Sequence, residues 1–141
     1  MQLTNQEIWL AYPNLLKLAK VTFPVKMSLG LAKLAAKLQG PYIIIERERA
    51  KLVKKYGKMD EAKTKITVPP DAEVAAAFAL ELSELLMTEW QDDLQLEKVN
   101  IPQIMRGKCE HCGQPTDIVV LIEPNILIPL AEHFVEVIVP A

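Results

Sequence analysis

The sequence predicts a mainly α, α+β fold in which a long central helix packs antiparallel on a second helix. A small β-containing region follows toward the C-terminus. Three observations lead to this prediction: a heptad pattern of apolar residues in the middle of the chain, an apolar segment of strong helix formers after it, and short strand-like patterns near the end. A chain of 141 residues, half of them apolar, is long enough to bury a core of about one domain.

The opening segment predicts a first helix that begins near Asn5. Thr4 and Glu7 have the spacing of a capping box, in which each residue satisfies a backbone N–H of the other. Pro13 has no N–H to donate to the preceding turn, so we expect this helix to break or restart around that residue.

Apolar residues at steps of four and three predict the central helix. Gly40 and Pro41 interrupt it, and a proline in a helix interior costs about 3 kcal/mol relative to alanine. Because the heptad phase resumes in register after Pro41, we expect a kinked helix or two nearly coaxial helices ending near Gly57. The seam positions are Met27, Leu31, Leu34, Leu38, Pro41, Ile45, Arg49, Leu52 and Tyr56.

The second helix is predicted from Ala72 to Trp90, with Asp71 placed to cap it. Its apolar face is expected to pack against the central helix. That face is formed by Val74, Phe78, Leu82, Leu85 and Leu86.

The two helical segments carry opposite charge. Residues 26–65 hold eleven Lys and Arg against four Asp and Glu, whereas residues 71–97 hold eight Asp and Glu and no Lys or Arg. With a net charge of only -2, we interpret the basic segment as facing the acidic one or water rather than nucleic acid. Arg49, on the apolar seam, needs an acidic partner or solvent, and Glu81 and Glu84 are the expected partners.

The pattern of the C-terminal region predicts short strands. LQLEKVNIPQI alternates apolar and polar residues, DIVVLI is a strand-like apolar run, and NILIPLAEHFVEVI fits either a strand or a helix. We therefore predict a helical domain over residues 1–103 and a small C-terminal lobe or extension over residues 104–141, which carries a CxxC turn.

The CxxC turn, Cys109-Glu-His-Cys112 followed by Gly113, has the form of half a zinc knuckle. A structural zinc takes four ligands, and His111 inside the loop is expected to point away. Two arrangements complete the site: His133 with one further group, or two copies of the loop meeting across a symmetric dimer. The alternative is two reduced cysteines in a turn between strands. No other cofactor is predicted.

No pattern in the sequence indicates an enzyme. An enzyme would need a nucleophile with its base, a glycine-rich phosphate loop or paired carboxylates in a cleft, and the sequence, with five glycines and two histidines, contains no such motif. No apolar run reaches the length of a membrane span, and two cysteines are too few for a secreted disulfide framework. We expect a non-enzymatic protein in a reducing compartment, without membrane or nucleic-acid partners.

Several segments resemble a family of short uncharacterised proteins encoded by phages and prophages of Gram-positive bacteria. They are LTNQEIWLAYPNLLKLAK, FPVKMSLGLAKLAAKL, ERAKLVKKYGKMDE, FALELSELLMTEW and LEKVNIPQI, which together cover roughly the first hundred residues. Gly40-Pro41 and the CEHCG segment depart from the family pattern.

The resemblance implies a small helical protein that works through protein contacts, without established catalysis. It leads to the expectation of a structural or assembly protein near the phage tail module, present in the bacterial cytoplasm or in the virion. Two alternatives remain open: a phage-encoded regulator or inhibitor of a host protein, including a defence component, and a zinc-stabilised nucleic-acid binder.

Overall fold

The computed structural model of the protein describes residues 3–59, 66–67, 72–91 and 94–138. It confirms a mainly α, α+β fold. None of the described helices is long and apolar enough to cross a membrane. The elements are α1 (Asn5–Leu18), α2 (Val25–Tyr56), β1 (Lys58–Met59), β2 (Ile66–Thr67), α3 (Ala72–Met87), β3 (Val99–Pro102), β4 (Ile104–Lys108), β5 (Pro115–Val119), α4 (Pro124–Leu127) and β6 (Val135–Ile138).

Two compact units are interleaved along the chain. The first unit combines Met1–Leu10 with Lys37–Leu94, and the second combines Ala11–Ala36 with Gln95–Ala141. Both α1 and α2 therefore contribute residues to each unit. The predicted boundary between a helical domain over residues 1–103 and a C-terminal lobe over residues 104–141 stays a prediction.

The predicted capping box begins α1. The Thr4 N–H donates to Glu7 Oε1 at 3.1 Å, and the Glu7 N–H donates to Thr4 Oγ1 at 3.2 Å. The helix continues through Pro13 without the expected break. Burial of one whole face offsets the lost hydrogen bond. The buried residues of that face are Ile8, Ala11, Leu15 and Leu18.

The central helix α2 is continuous over 32 residues, with Gly40 and Pro41 inside it. Pro41 is buried at the seam while Gly40 is exposed, so the proline ring fills an apolar position. This explains why the heptad phase is the same on both sides of the interruption. The other buried seam residues are Leu31, Leu34, Leu38 and Ile45.

In the first unit, α3 packs antiparallel on the C-terminal half of α2, as predicted. Lys55 Nζ lies 2.9 Å from Glu81 Oε1, and the rings of Tyr56 and Phe78 meet edge to face at 6.2 Å. The predicted apolar face of α3 is only half buried, and no residue of this helix is fully buried. Asp71 lies outside the described residues.

Arg49 does not pair with Glu81 or Glu84 as expected. Its Nε lies 2.7 Å from Glu46 Oε2, one helical turn earlier in α2. The hydrogen bond from Arg49 lowers the pKa of Glu46, and a hydrogen bond from the Trp9 side chain lowers it further. Arg49 pairs with Glu46 rather than with a glutamate of α3 because residues three positions apart on one helix are already neighbours.

The N-terminal residues of the chain, up to the first residue of α1, form hydrogen bonds with the C-terminal end of α3. The Asn5 N–H donates to the Thr88 carbonyl at 2.8 Å, and Asn5 Nδ2 donates to the Leu85 carbonyl at 2.8 Å. The Trp90 N–H donates to the Leu3 carbonyl at 2.7 Å. Helix C-termini leave carbonyls without intrahelical donors, so these bonds fix the end of α3.

In the second unit, β3 and β6 form a parallel pair, with Val99 opposite Val135. A Cβ on Gly30 of α2 would stand 3.1 Å from a methyl of Val99, so β3 approaches the helix closely at this glycine. Ile101 and Val135 are buried on this pair, together with Phe134 before β6.

Candidate functional site

The candidate site is the tip of the β4–β5 hairpin in the second unit. The strands are antiparallel, with Lys108 opposite Pro115 at the tip. The Cys109 N–H donates to the Gln114 carbonyl at 2.9 Å, and the Gly113 N–H donates to the Cys109 carbonyl at 2.8 Å. Gly113 has φ +70°, a conformation that glycine adopts without strain. We call residues 109–113 the knuckle.

The backbone of the knuckle is folded around one sulfur. The N–H of Cys112 hydrogen-bonds to the Cys109 sulfur, as do the N–H of His111 and the thiol of Cys112, and together they lower the pKa of Cys109. Hydrogen bonds to sulfur favour its charged form, and the thiolate is both the nucleophile and the metal ligand. The CxxCG spacing therefore produces a turn that presents two neighbouring sulfurs.

The knuckle is open to water. Both cysteines are free; Cys109 is half buried and Cys112 is exposed. His111 and Glu110 are exposed as well. Of the two cysteines, Cys112 is the more accessible to a metal ion or an oxidant.

His133 has different neighbours. Its Nε2 lies 3.6 Å from Glu132 Oε1, and its ring meets that of Phe134 edge to face at 6.2 Å. Among the described residues, Cys109 and Cys112 belong to no group of three potential ligand atoms within 4.8 Å of one another. The structure thus brings the two cysteines together and does not add His133 to them, and zinc binding stays a prediction.

The strands below the knuckle expose aliphatic side chains on both faces. Ile104 and Val119 are directly opposite each other, while Ile118 lies on the other face over Gly107, where a Cβ would collide with it. All three aliphatic residues are exposed. Leu121 and Ile128, which follow β5, are 83% and 73% exposed. We call residues 118–128 the apolar segment.

A groove of about 400 Å³ lies between α2 and α3 in the first unit. Lys55 is the only base among its described lining residues, and Glu81 holds it in an ion pair. The groove could not be found from the sequence, because it depends on the spacing between two helices. Its lining residues are Glu48, Leu52, Lys55, Glu81, Glu84, Leu85 and Thr88.

Comparison of the chain with protein-family models, curated proteins and solved structures found no match.

Proposed function

We propose that the protein is a non-enzymatic structural or assembly protein of a phage particle that acts by binding another protein through the apolar segment. The observation that carries this proposal is the exposure of Leu121 and Ile128, at 83% and 73%. Single exposed aliphatic residues are ordinary on protein surfaces. Here they follow a strand whose own Ile118 and Val119 are also in water.

The partner surface is expected to be apolar, because burial of aliphatic area contributes about 25 cal/mol per Å². A two-stranded hairpin is only marginally stable alone, so a partner that covers β4 and β5 would also stabilise them. The assignment to a phage particle, near its tail module, rests on the family resemblance of the first hundred residues. It places the protein in the host cytoplasm during assembly and in the particle afterwards.

The test is co-purification with particles from cells that encode the protein. A Leu121→Ser, Ile128→Ser double variant should lose association with the particle, whereas Leu80→Ser should keep it. Leu80 is a matched control because it is an exposed leucine on α3 in the other unit. Association of the wild type with one host protein, and not with particles, would reject the assembly role.

A further inference from the structure

We propose that two copies of this chain share one zinc ion, bound by Cys109 and Cys112 of each copy. The inference goes beyond the assembly role, since it concerns the knuckle and a second copy of the chain rather than the apolar segment and another protein.

The geometry of the knuckle supports a chelating pair. The Cys109 N–H donates to the Gln114 carbonyl at 2.9 Å, the Gly113 N–H donates to the Cys109 carbonyl at 2.8 Å, and Gly113 has φ +70°, so one tight turn contains both cysteines. Two thiolates on one tetrahedral zinc, each at about 2.3 Å from the metal, stand about 3.8 Å apart. The turn places both cysteines at the tip of one hairpin, two residues apart in the sequence, which is the spacing of a zinc-chelating pair.

The number of ligands points to a second copy. Structural zinc takes four ligands, and the described residues place no third ligand atom in a cluster with Cys109 and Cys112. A second knuckle supplies the same two sulfurs. Placing the ion on a two-fold axis uses one surface twice, which is how most homodimers are built.

The hairpin can approach a copy of itself. No side chain at its tip is buried within the chain. The hairpin carries no net charge, because Arg106 and Lys108 are balanced by Glu110 and Asp117, so two hairpins do not repel each other through net charge. A zinc with four thiolates carries two negative charges, and Lys108, next to Cys109 in each copy, is a nearby compensating cation.

Binding is a ligand exchange without oxidation or reduction. Four thiols lose four protons to the solvent for each zinc bound, four Zn–S bonds form, and the water molecules that hydrate the ion leave. The metal stays divalent throughout.

The experiment uses reduced, untagged, full-length protein, first stripped with a chelator that is then removed, and titrated with zinc. Zinc content and mass are measured on the same sample by elemental analysis and analytical ultracentrifugation. We expect saturation at about half a zinc per chain, together with a species of twice the 15.8 kDa chain mass. Cobalt(II) in place of zinc should give the absorption of a four-thiolate site.

Variants separate this proposal from a site closed within one chain. Cys109→Ser and Cys112→Ser should each lower the zinc content at least tenfold and abolish the zinc-dependent dimer, with the helical circular dichroism unchanged. His111→Ala and His133→Ala should keep both zinc and dimer. One zinc per monomeric chain, zinc loss in His133→Ala, or no zinc above background in reduced wild-type protein would each overturn the proposal.

Discussion

The seam of α2 buries its aliphatic side chains, whereas the β4–β5 hairpin leaves its own in water. Leu31 and Leu38 are fully buried, while Ile104, Ile118 and Val119 are exposed. Burial of one such side chain contributes about 1.5–3 kcal/mol, so the seam is expected to dominate stability. The hairpin leaves the same kind of side chain exposed, which is why we propose a contact role for its β5 end and the residues after it. Apolar composition alone does not distinguish core residues from exposed ones, but burial does.

The largest effect is expected in the seam. Leu38→Ala should lower the free energy of unfolding by about 2–5 kcal/mol, because it removes buried methyl groups and leaves a cavity. Val119→Ala in the hairpin should cost less than about 1 kcal/mol. Chemical denaturation of both variants measures the difference, and equal losses would show that the comparison of seam and hairpin is wrong.

A smaller loss is expected at the end of α3. Asn5→Ala removes the Nδ2 bond to the Leu85 carbonyl and should cost about 1–2 kcal/mol. Asn5 is 8% exposed, so water cannot easily replace its side chain. Gln6→Ala, at the exposed neighbouring position, is the control and should change stability by less than about 0.5 kcal/mol. A neutral Asn5→Ala would mean that the Nδ2 bond to the Leu85 carbonyl does not contribute to stability, and would leave only the backbone bonds between the N-terminal residues and the end of α3.

The sequence predicts local features of this fold well and distant ones poorly. The capping box of Thr4 and Glu7 and the turn of the knuckle depend on a few consecutive residues, and both were predictable from spacing. The Asn5 bond to Leu85 joins residues 80 positions apart, so no local pattern indicates it. The parallel pairing of β3 with β6 is missed for the same reason.

The effects of two prolines and the partner of one arginine were also mispredicted from the sequence. Helix propensity argues for breaks at Pro13 and Pro41, yet burial of the surrounding apolar face outweighs it and both helices continue. The predicted partner of Arg49 was wrong. The choice between Glu46 and a glutamate on α3 depends on where the side chains lie, which the sequence pattern does not specify. That Cys109 and Cys112 lie in the same turn was predictable from their spacing. The position of His133 relative to them was not.

The Glu46 pair should make a modest, pH-dependent contribution within the first unit. Because Arg49 holds the folded-state pKa of Glu46 below its ordinary value near 4.5, the stabilisation is complete above that value. It is lost as the pH falls through the lower folded-state pKa. Glu46→Gln should therefore lower stability at pH 7 and have little effect in strong acid.

Denaturation at both pH values measures this contribution. In an Arg49→Gln background the effect of Glu46→Gln at pH 7 should shrink, because the partner is gone. An unchanged effect in that background would assign it to something other than the ion pair.

The smallest effect on stability is expected in the apolar segment. Leu121 is 83% exposed, so Leu121→Ser should change the free energy of unfolding by less than about 0.5 kcal/mol. Thermal denaturation followed by circular dichroism measures this. A loss above 2 kcal/mol would show that Leu121 is packed in solution and is not available to a partner.

The most direct test of the account is co-sedimentation of the Leu121→Ser, Ile128→Ser variant with particles, measured beside its stability. We predict that the wild type and Leu80→Ser sediment with the particles, whereas the double variant stays in the supernatant with its unfolding free energy unchanged. A stable double variant that sediments like the wild type would contradict a contact role for the apolar segment.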